Sequence, residues 1–189
     1  MDISLLISYF NKISPLTEEM QQAIRAKVRN LQYKKDDLIP NHPNPELLFV
    51  IEGLLIGYMD VDELGIASWL AQQGELTLTS QIPLGGESGP ERIVALEDTR
   101  ALAVPADLFE GLSGNPIESQ RFERELWKHF LRTARQRSLL VSLHSAKRRL
   151  ELFRLNHPGL EKRIPDEALA SYLGISVNSL RRVHQGKVA

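Results

Sequence analysis

Asp166 to Val183 reads DEALASYLGISVNSLRRV, and the rest of the chain is best understood outward from it. A helix starting near Pro165 buries Leu169, Ala170 and Leu173 and is stopped by Gly174 in a left-handed conformation. Ser176 then serves as the N-cap of a second helix that buries Leu180 and Val183. Small Ala170 lets the second helix cross closely, and Ile175 plugs the space between the two, so the grammar is that of a helix-turn-helix. With Leu180 and Val183 turned inward, the outer stripe of the second helix is Val177, Asn178, Arg181, Arg182 and Gln185. Arg can make two hydrogen bonds to guanine, Asn or Gln can do the same to adenine, and Val can touch a thymine methyl. Ser176 and the free N–H groups at the helix start suit a phosphate, as do Lys147, Arg148, Arg149, Lys162, Arg163 and Lys187. An Ala-x-x-x-Gly hairpin also occurs in proteins that bind no DNA, so a protein-interaction module stands beside the DNA-binding reading.

Charge is divided along the chain. Up to Pro116 there are eight Lys and Arg against 17 Asp and Glu, and from Ile117 onward 15 against seven, although the formal net charge of the whole is -1. A basic half attached to an acidic one points to a polyanion as partner, or to a solvated helix face; charge alone leaves both open. The 189 residues include no cysteine, which excludes disulfides, thiolate zinc sites, Cys-ligated iron-sulfur clusters and a cysteine nucleophile. The five histidines are scattered without an HxH or HxxxH pair, so no metal and no cofactor are expected. A chain that is 42% hydrophobic and 25% charged has an ordinary globular composition. Its longest apolar runs, such as Leu47 to Ile51, are far shorter than the roughly 20 residues that cross a bilayer. The opening MDISLLISYF has an acid where a secretory signal has a base, so a cytoplasmic location is expected.

Upstream of the hairpin, a long helix begins after Asn115-Pro116. Phe122, Leu126, Phe130 and Ala134 recur every four residues, joined by Trp127 and Leu131 and then by Leu139, Leu140, Val141 and Leu143. About 26 residues of helix span roughly 39 Å, more than a small β domain covers. The four residues at that spacing are therefore expected at a homodimer interface, the alternative being packing against the chain's own roll and C-terminal helices. From Leu31 to about Val104 the pattern is of short strands: Leu47 to Ile51, Leu54 to Met59, Ile66 to Leu70, Leu76 to Ile82, Arg92 to Leu96 and Ala101 to Val104. Turn residues separate them, Gly85 to Pro90 most richly as an exposed loop, and the spacing predicts a small antiparallel β-roll. Thr17 as N-cap and Met20, Ile24 and Val28 predict a helix over about 17–30, and a brief one is expected over Asp107 to Leu112.

The order helix, β-roll, long helix, helix-turn-helix resembles the CRP/FNR family of bacterial transcription regulators over nearly the whole chain. The residues that carry the resemblance are Phe49-Val-Ile-Glu-Gly53, Asp62-Glu-Leu-Gly65, Gly74-Glu75, Val94 to Pro105, Ser145 to Pro158 and Ala170-Ser-Tyr-Leu-Gly-Ile-Ser176. It implies an α+β chain: a cyclic nucleotide-binding-like jelly roll over 1–116 with flanking helices, a dimerisation helix over 117–144, and a helix-turn-helix domain over 145–189. The implied function is non-enzymatic: a homodimer that places Val177, Asn178, Arg181 and Arg182 in the major groove of two half-sites of double-stranded DNA, with RNA polymerase as a further partner.

Two departures qualify it. Members that bind cyclic nucleotides hold the phosphate with a short Gly-Glu helix and an Arg-Ser-Ala or Arg-Thr-Ala step. Here the matching stretches read Leu78-Thr-Ser-Gln-Ile82 and Gly89-Pro-Glu91. Arg92 is displaced by three residues and is expected on an outward strand position, so a buried phosphate lacks its charge partner and cyclic AMP is not expected. The effector stays open. The second departure is at the end: six residues follow Val183, too few for a wing, so fewer phosphate contacts and weak or effector-dependent DNA binding are expected. A cupin-type enzyme is the remaining class, but the roll holds only His42 and no paired carboxylates at catalytic spacing.

Overall fold

Leu47, Leu48, Phe49 and Val50 are consecutive, apolar and all buried, which a strand achieves only when both of its faces are covered. They lie in β3 (Glu46–Glu52), an inner strand of the first of two sheets. The computed structural model describes residues 3–40, 44–61, 64–79, 91–109 and 116–187. Among them eight strands form two antiparallel four-stranded sheets. The first sheet runs in the order β1 (Arg29–Tyr33), β8 (Thr99–Pro105), β3, β6 (Leu76–Leu78). The second runs β2 (Leu38–Ile39), β7 (Glu91–Ala95), β4 (Leu54–Val61), β5 (Leu64–Gln72), which leaves β5 at an edge.

Alternation along the strands sorts their side chains into three cores. Leu48 and Val50 of β3, Leu55 of β4, Ile93 and Ala95 of β7 and Ala103 of β8 meet between the sheets. Leu47, Phe49, Leu102 and Val104 face the other way, onto α1 (Ile3–Ile13), α2 (Glu18–Lys27) and the first half of α3 (Pro116–Ser142), where Phe10, Met20, Ile24, Phe109 and Phe122 close the layer. Leu54, Ile56 and Ala67 leave the outer face of the second sheet. They pack beneath Leu140 of α3 and the apolar sides of α4 (Ala146–Asn156), the 3-10 turn Leu160–Arg163, α5 (Asp166–Leu173) and α6 (Val177–His184). Each large side chain fully removed from water contributes about 1.5–3 kcal/mol, so this third core holds the C-terminal helices to the roll as well as to one another.

The long helix and the strands predicted at Leu47, Leu54, Ile66, Arg92 and Ala101 stand where the apolar pattern predicts them, and α3 has 27 residues. The strand predicted over Leu76 to Ile82 forms over Leu76–Leu78, residues 80–82 lying outside the described residues, and β1 and β2 come in addition to the predicted strands. The helix predicted over 17–30 is shorter. Thr17 caps it, accepting a hydrogen bond from the Met20 N–H, but it stops at Lys27 and Val28 turns extended. Arg29 then pairs with Ala103 and sends its guanidinium to both oxygens of Glu46, at 2.6 and 2.7 Å; a sheet partner outweighs one more turn of apolar spacing. The helix expected at Asp107 is, over residues 106–109, a turn that buries Leu108 and Phe109; residues 110–112 lie outside the described residues, as do His42 and the predicted loop Gly85 to Pro90. No helix among the described residues is long and apolar enough to cross a membrane.

Candidate nucleic-acid interface

The hairpin forms for the local reasons its sequence contains. Gly174 ends α5 at φ 64° and ψ 38°. The Ile175 N–H returns to the Ala170 carbonyl at 3.0 Å and the Gly174 N–H to that of Ser171 at 3.1 Å, which satisfies carbonyls the helix end would otherwise strand. Ser176 Oγ accepts from the Ser179 N–H at 3.1 Å and starts α6. Leu169, Ala170, Leu173 and Leu180 are buried between the two helices. On the outer side Asn178, Arg181, Arg182 and Gln185 are exposed. Val177 is half-buried and packs against the C-terminal core, so less of it faces outward than the stripe predicts.

Of the cations expected at DNA, Lys147, Arg148, Lys162 and Lys187 on phosphates and Arg182 on bases are exposed and make no ion pair among the described residues. Three others have different work. Arg149 donates from Nε to the Leu143 carbonyl at 2.7 Å and from Nη1 to those of Leu173 and Gly174 at 3.0 and 2.8 Å, so it caps the end of α5 instead of facing outward. Arg163 points to the roll, forking onto the Glu97 carboxylate at 2.8 and 2.7 Å. Arg181 lies 3.5 Å from Asp166 and 3.7 Å from Glu167 at the start of α5, a tie to carboxylates that competes with a base or phosphate. Spacing predicts the face of a helix but not these neighbours, which come from other elements.

The far end of α6 is braced. His184 Nε2 lies 2.8 Å from Glu161 Oε1, and Arg154 Nη2 donates to the same oxygen at 2.8 Å. The Arg154 hydrogen bond, with His184 adding to it, holds the Glu161 carboxyl below its ordinary range. A depressed carboxylate contributes stability in full above its unfolded value of about 4.3 and loses it as pH falls through the folded one. Glu161→Gln is therefore expected to lower the midpoint of thermal unfolding at pH 7, with the gap to wild type closing as the pH is taken below about 4. A gap independent of pH contradicts the brace.

The four α3 residues expected at a dimer interface divide. Phe122 is fully buried and Leu126 4% exposed within this one chain, packed on α1, so neither can face a partner. Phe130 is half-buried and Ala134 exposed. The large apolar side chains α3 leaves in water are Ile117, Trp127, Leu131 and Leu139. α1 covers the face on which spacing in four is most regular, and Trp127, Leu131 and Ala134 lie uncovered beside it.

Inside the roll, Glu91, Ile93 and Ala95 alternate onto the inner side of β7. The Glu91 carboxylate is buried and accepts from the Trp69 indole N–H at 2.6 Å. Trp69 lies across Gly57, where a Cβ would stand 2.3 Å from the ring. Arg92 faces outward, over the Tyr58 ring at 5.0 Å and 3.4 Å from Asp60, as its strand position predicts. Sequence reasoning missed Arg137, Ser171 and Glu97, which join the helices to the roll. Their partners Ala67, through its backbone, and Arg163 lie 66–104 residues distant along the chain, and no local pattern marks them.

No protein-family model matches the sequence, nor does any curated protein. Solved structures do match the fold. A Crp/Fnr-family transcriptional regulator from Eubacterium rectale superposes with TM-score 0.67 at 20% identity, covering 95% of this chain and 87% of that one. The c-di-GMP-responsive global regulator CLP of Xanthomonas campestris gives 0.63 at 12% identity, over 90% and 91%. A CooA variant from Carboxydothermus hydrogenoformans gives 0.61 at 18% identity, over 86% and 77%. The fold is thus that of CRP/FNR transcription regulators: an antiparallel β sandwich, a long helix and a C-terminal set of helices.

Proposed function

We propose that this chain is a DNA-binding transcription regulator of the CRP/FNR type, non-enzymatic, that grips double-stranded DNA as a homodimer. The observation that carries the reading is the α5–α6 hairpin. Its inner side is packed shut, while Asn178 and Arg182 on α6 and Gln185 at its C-cap are exposed, and Lys147, Arg148, Lys162 and Lys187 are exposed on the same C-terminal module. The helix suits base edges in the major groove and the lysines and Arg148 suit phosphates. Two copies meet along α3 through Trp127, Leu131 and Ala134, which brings two hairpins to one duplex. RNA polymerase is a further partner by likeness to the family alone.

The roll is not proposed as a cyclic AMP site. The family's arginine step is missing where the chain reads Gly89-Pro-Glu91, so a buried phosphate lacks its charge partner. Calorimetry with cyclic AMP is expected to give no micromolar binding.

A gel shift at low salt tests the main reading. Wild type is expected to retard duplex DNA, and Arg181→Ala with Arg182→Ala to lose the shift. The logarithm of affinity should fall with the logarithm of salt concentration by about 0.9 per phosphate contacted; a flat dependence counts against DNA. A second reading, a protein-interaction module, is favoured by Asp166 and Glu167 beside Arg181, which give the hairpin a mixed-charge edge. It is preferred if neither protein shifts DNA.

A further inference from the structure

The edge strand β5 does not end in solvent at Ala67. The Ala67 N–H donates to Ser171 Oγ of α5 at 2.9 Å, and the Ala67 carbonyl accepts from Arg137 Nη2 of α3 at 2.7 Å. Both free edge groups of that residue are thus taken by side chains of the C-terminal half, as an edge buried beneath a helix requires. The Arg137 guanidinium also lies 4.7 Å from the centre of the Tyr172 ring, so one cation joins α3, β5 and α5. At the other end of the same contact, Arg163 forks onto Glu97 and donates from Nη2 to the Gly53 carbonyl at 3.3 Å. Between these two points Leu54, Ile56, Ala67 and Leu96 share one apolar core with the hairpin. The contact leaves Asn178, Arg182 and Gln185 exposed.

We propose that Ser171, Arg137 and Arg163 are positioning residues for DNA recognition: they dock the hairpin on its own roll and set the direction of α6. This rests on the DNA-binding reading above and deepens it. The docked arrangement is the DNA-competent one, because it buries none of the exposed reading side chains and fixes each hairpin against the helix through which two copies meet. A hairpin that is docked only a tenth of the time binds about tenfold more weakly, since apparent affinity scales with the competent fraction.

The chain has no cysteine, so Gln73→Cys on the roll and Glu151→Cys on α4, both at exposed positions, carry spin labels cleanly. In the full chain without DNA or effector, mixed before assembly with an excess of unlabelled chain so that each dimer carries at most one labelled copy, one narrow inter-label distance is expected. Arg163→Glu should broaden it, and adding Glu97→Arg, which restores the pair with its charges exchanged, should narrow it again. The DNA probe is a duplex selected by the wild type from a random pool. On it Arg163→Glu is expected to bind about tenfold or more weakly, with most of the loss recovered in the exchanged pair. If Arg163 touched phosphate instead, the added glutamate would still repel it and no recovery would follow. Ser171→Ala, which keeps every charge, gives a smaller change in the same direction. A broad distance in the wild type, tighter DNA binding by the undocked variants, or failure of the exchanged pair to restore both readouts overturns the proposal. If the wild type selects no duplex, the DNA reading fails, and with it the positioning role, while the distances alone then show whether the docking exists.

Discussion

Replacing Phe122 by alanine is expected to lower the free energy of unfolding by about 3–5 kcal/mol, the usual cost of removing a buried aromatic side chain. Phe122 has no solvent exposure and meets Phe10 edge-on at 5.3 Å between ring centres and Phe109 at 4.7 Å; arrangements of this kind add to the cost of lost area. Leu131, nine residues along the same helix and 70% exposed, behaves in the opposite way. Leu131→Asp is expected to leave the fold of each chain intact, since most of the side chain already stands in water, and to convert the proposed dimer to a monomer by placing charge in an apolar seam. Denaturant unfolding and sedimentation, run on both variants, separate the two roles. A Phe122→Ala protein that is monomeric but fully stable would reverse the assignment, as would a Leu131→Asp protein that stays dimeric.

The second large effect concerns the reading helix. Arg182→Ala is expected to cost about 1–3 kcal/mol at each half-site, hence about twice that in a symmetric complex on two half-sites. The loss should be concentrated on one base position, with other positions unchanged. Arg181→Ala is expected to cost less, because Arg181 is already shared with Asp166 and Glu167 and must leave them to meet DNA. Arg148→Ala, at a position suited to phosphate, should weaken all sequences alike and reduce the salt slope by about 1. Binding titrations on a set of duplexes, each with one changed base pair, decide between these. Equal and sequence-independent losses for both arginines would remove Arg182 from the base-reading role.

Much of this protein is legible without coordinates, and the reason is local. Gly174 next to Ser176 is a stop followed by a start, and both operate through backbone groups within five residues. The strands alternate, the long helix starts at a proline, and Arg92 faces outward; each follows from period or propensity over a short window. The face of a helix is legible only to within its neighbours. Spacing selects Phe122, Leu126, Phe130 and Ala134 as a stripe, but it contains no information about α1 lying on part of that stripe. In the same way the composition of the C-terminal segment counts Arg149, Arg163 and Arg181 as cations, and their partners consume them.

The amino-acid order by itself determined the short strands, the long helix and the glycine-cornered hairpin, since those depend on interactions between residues close along the chain, whereas the pairing of the strands into two sheets joins residues as distant as Arg29 and Ala103. Only the tertiary structure decided which cations are taken by carbonyls and carboxylates, which side of α3 is left uncovered within one chain, and that the hairpin rests on its own roll. Those outcomes depend on contacts such as Arg137 with Ala67 and Arg163 with Glu97, 70 and 66 residues apart. A buried carbonyl or carboxylate takes whichever donor packing brings within reach, and packing is a property of the assembled chain.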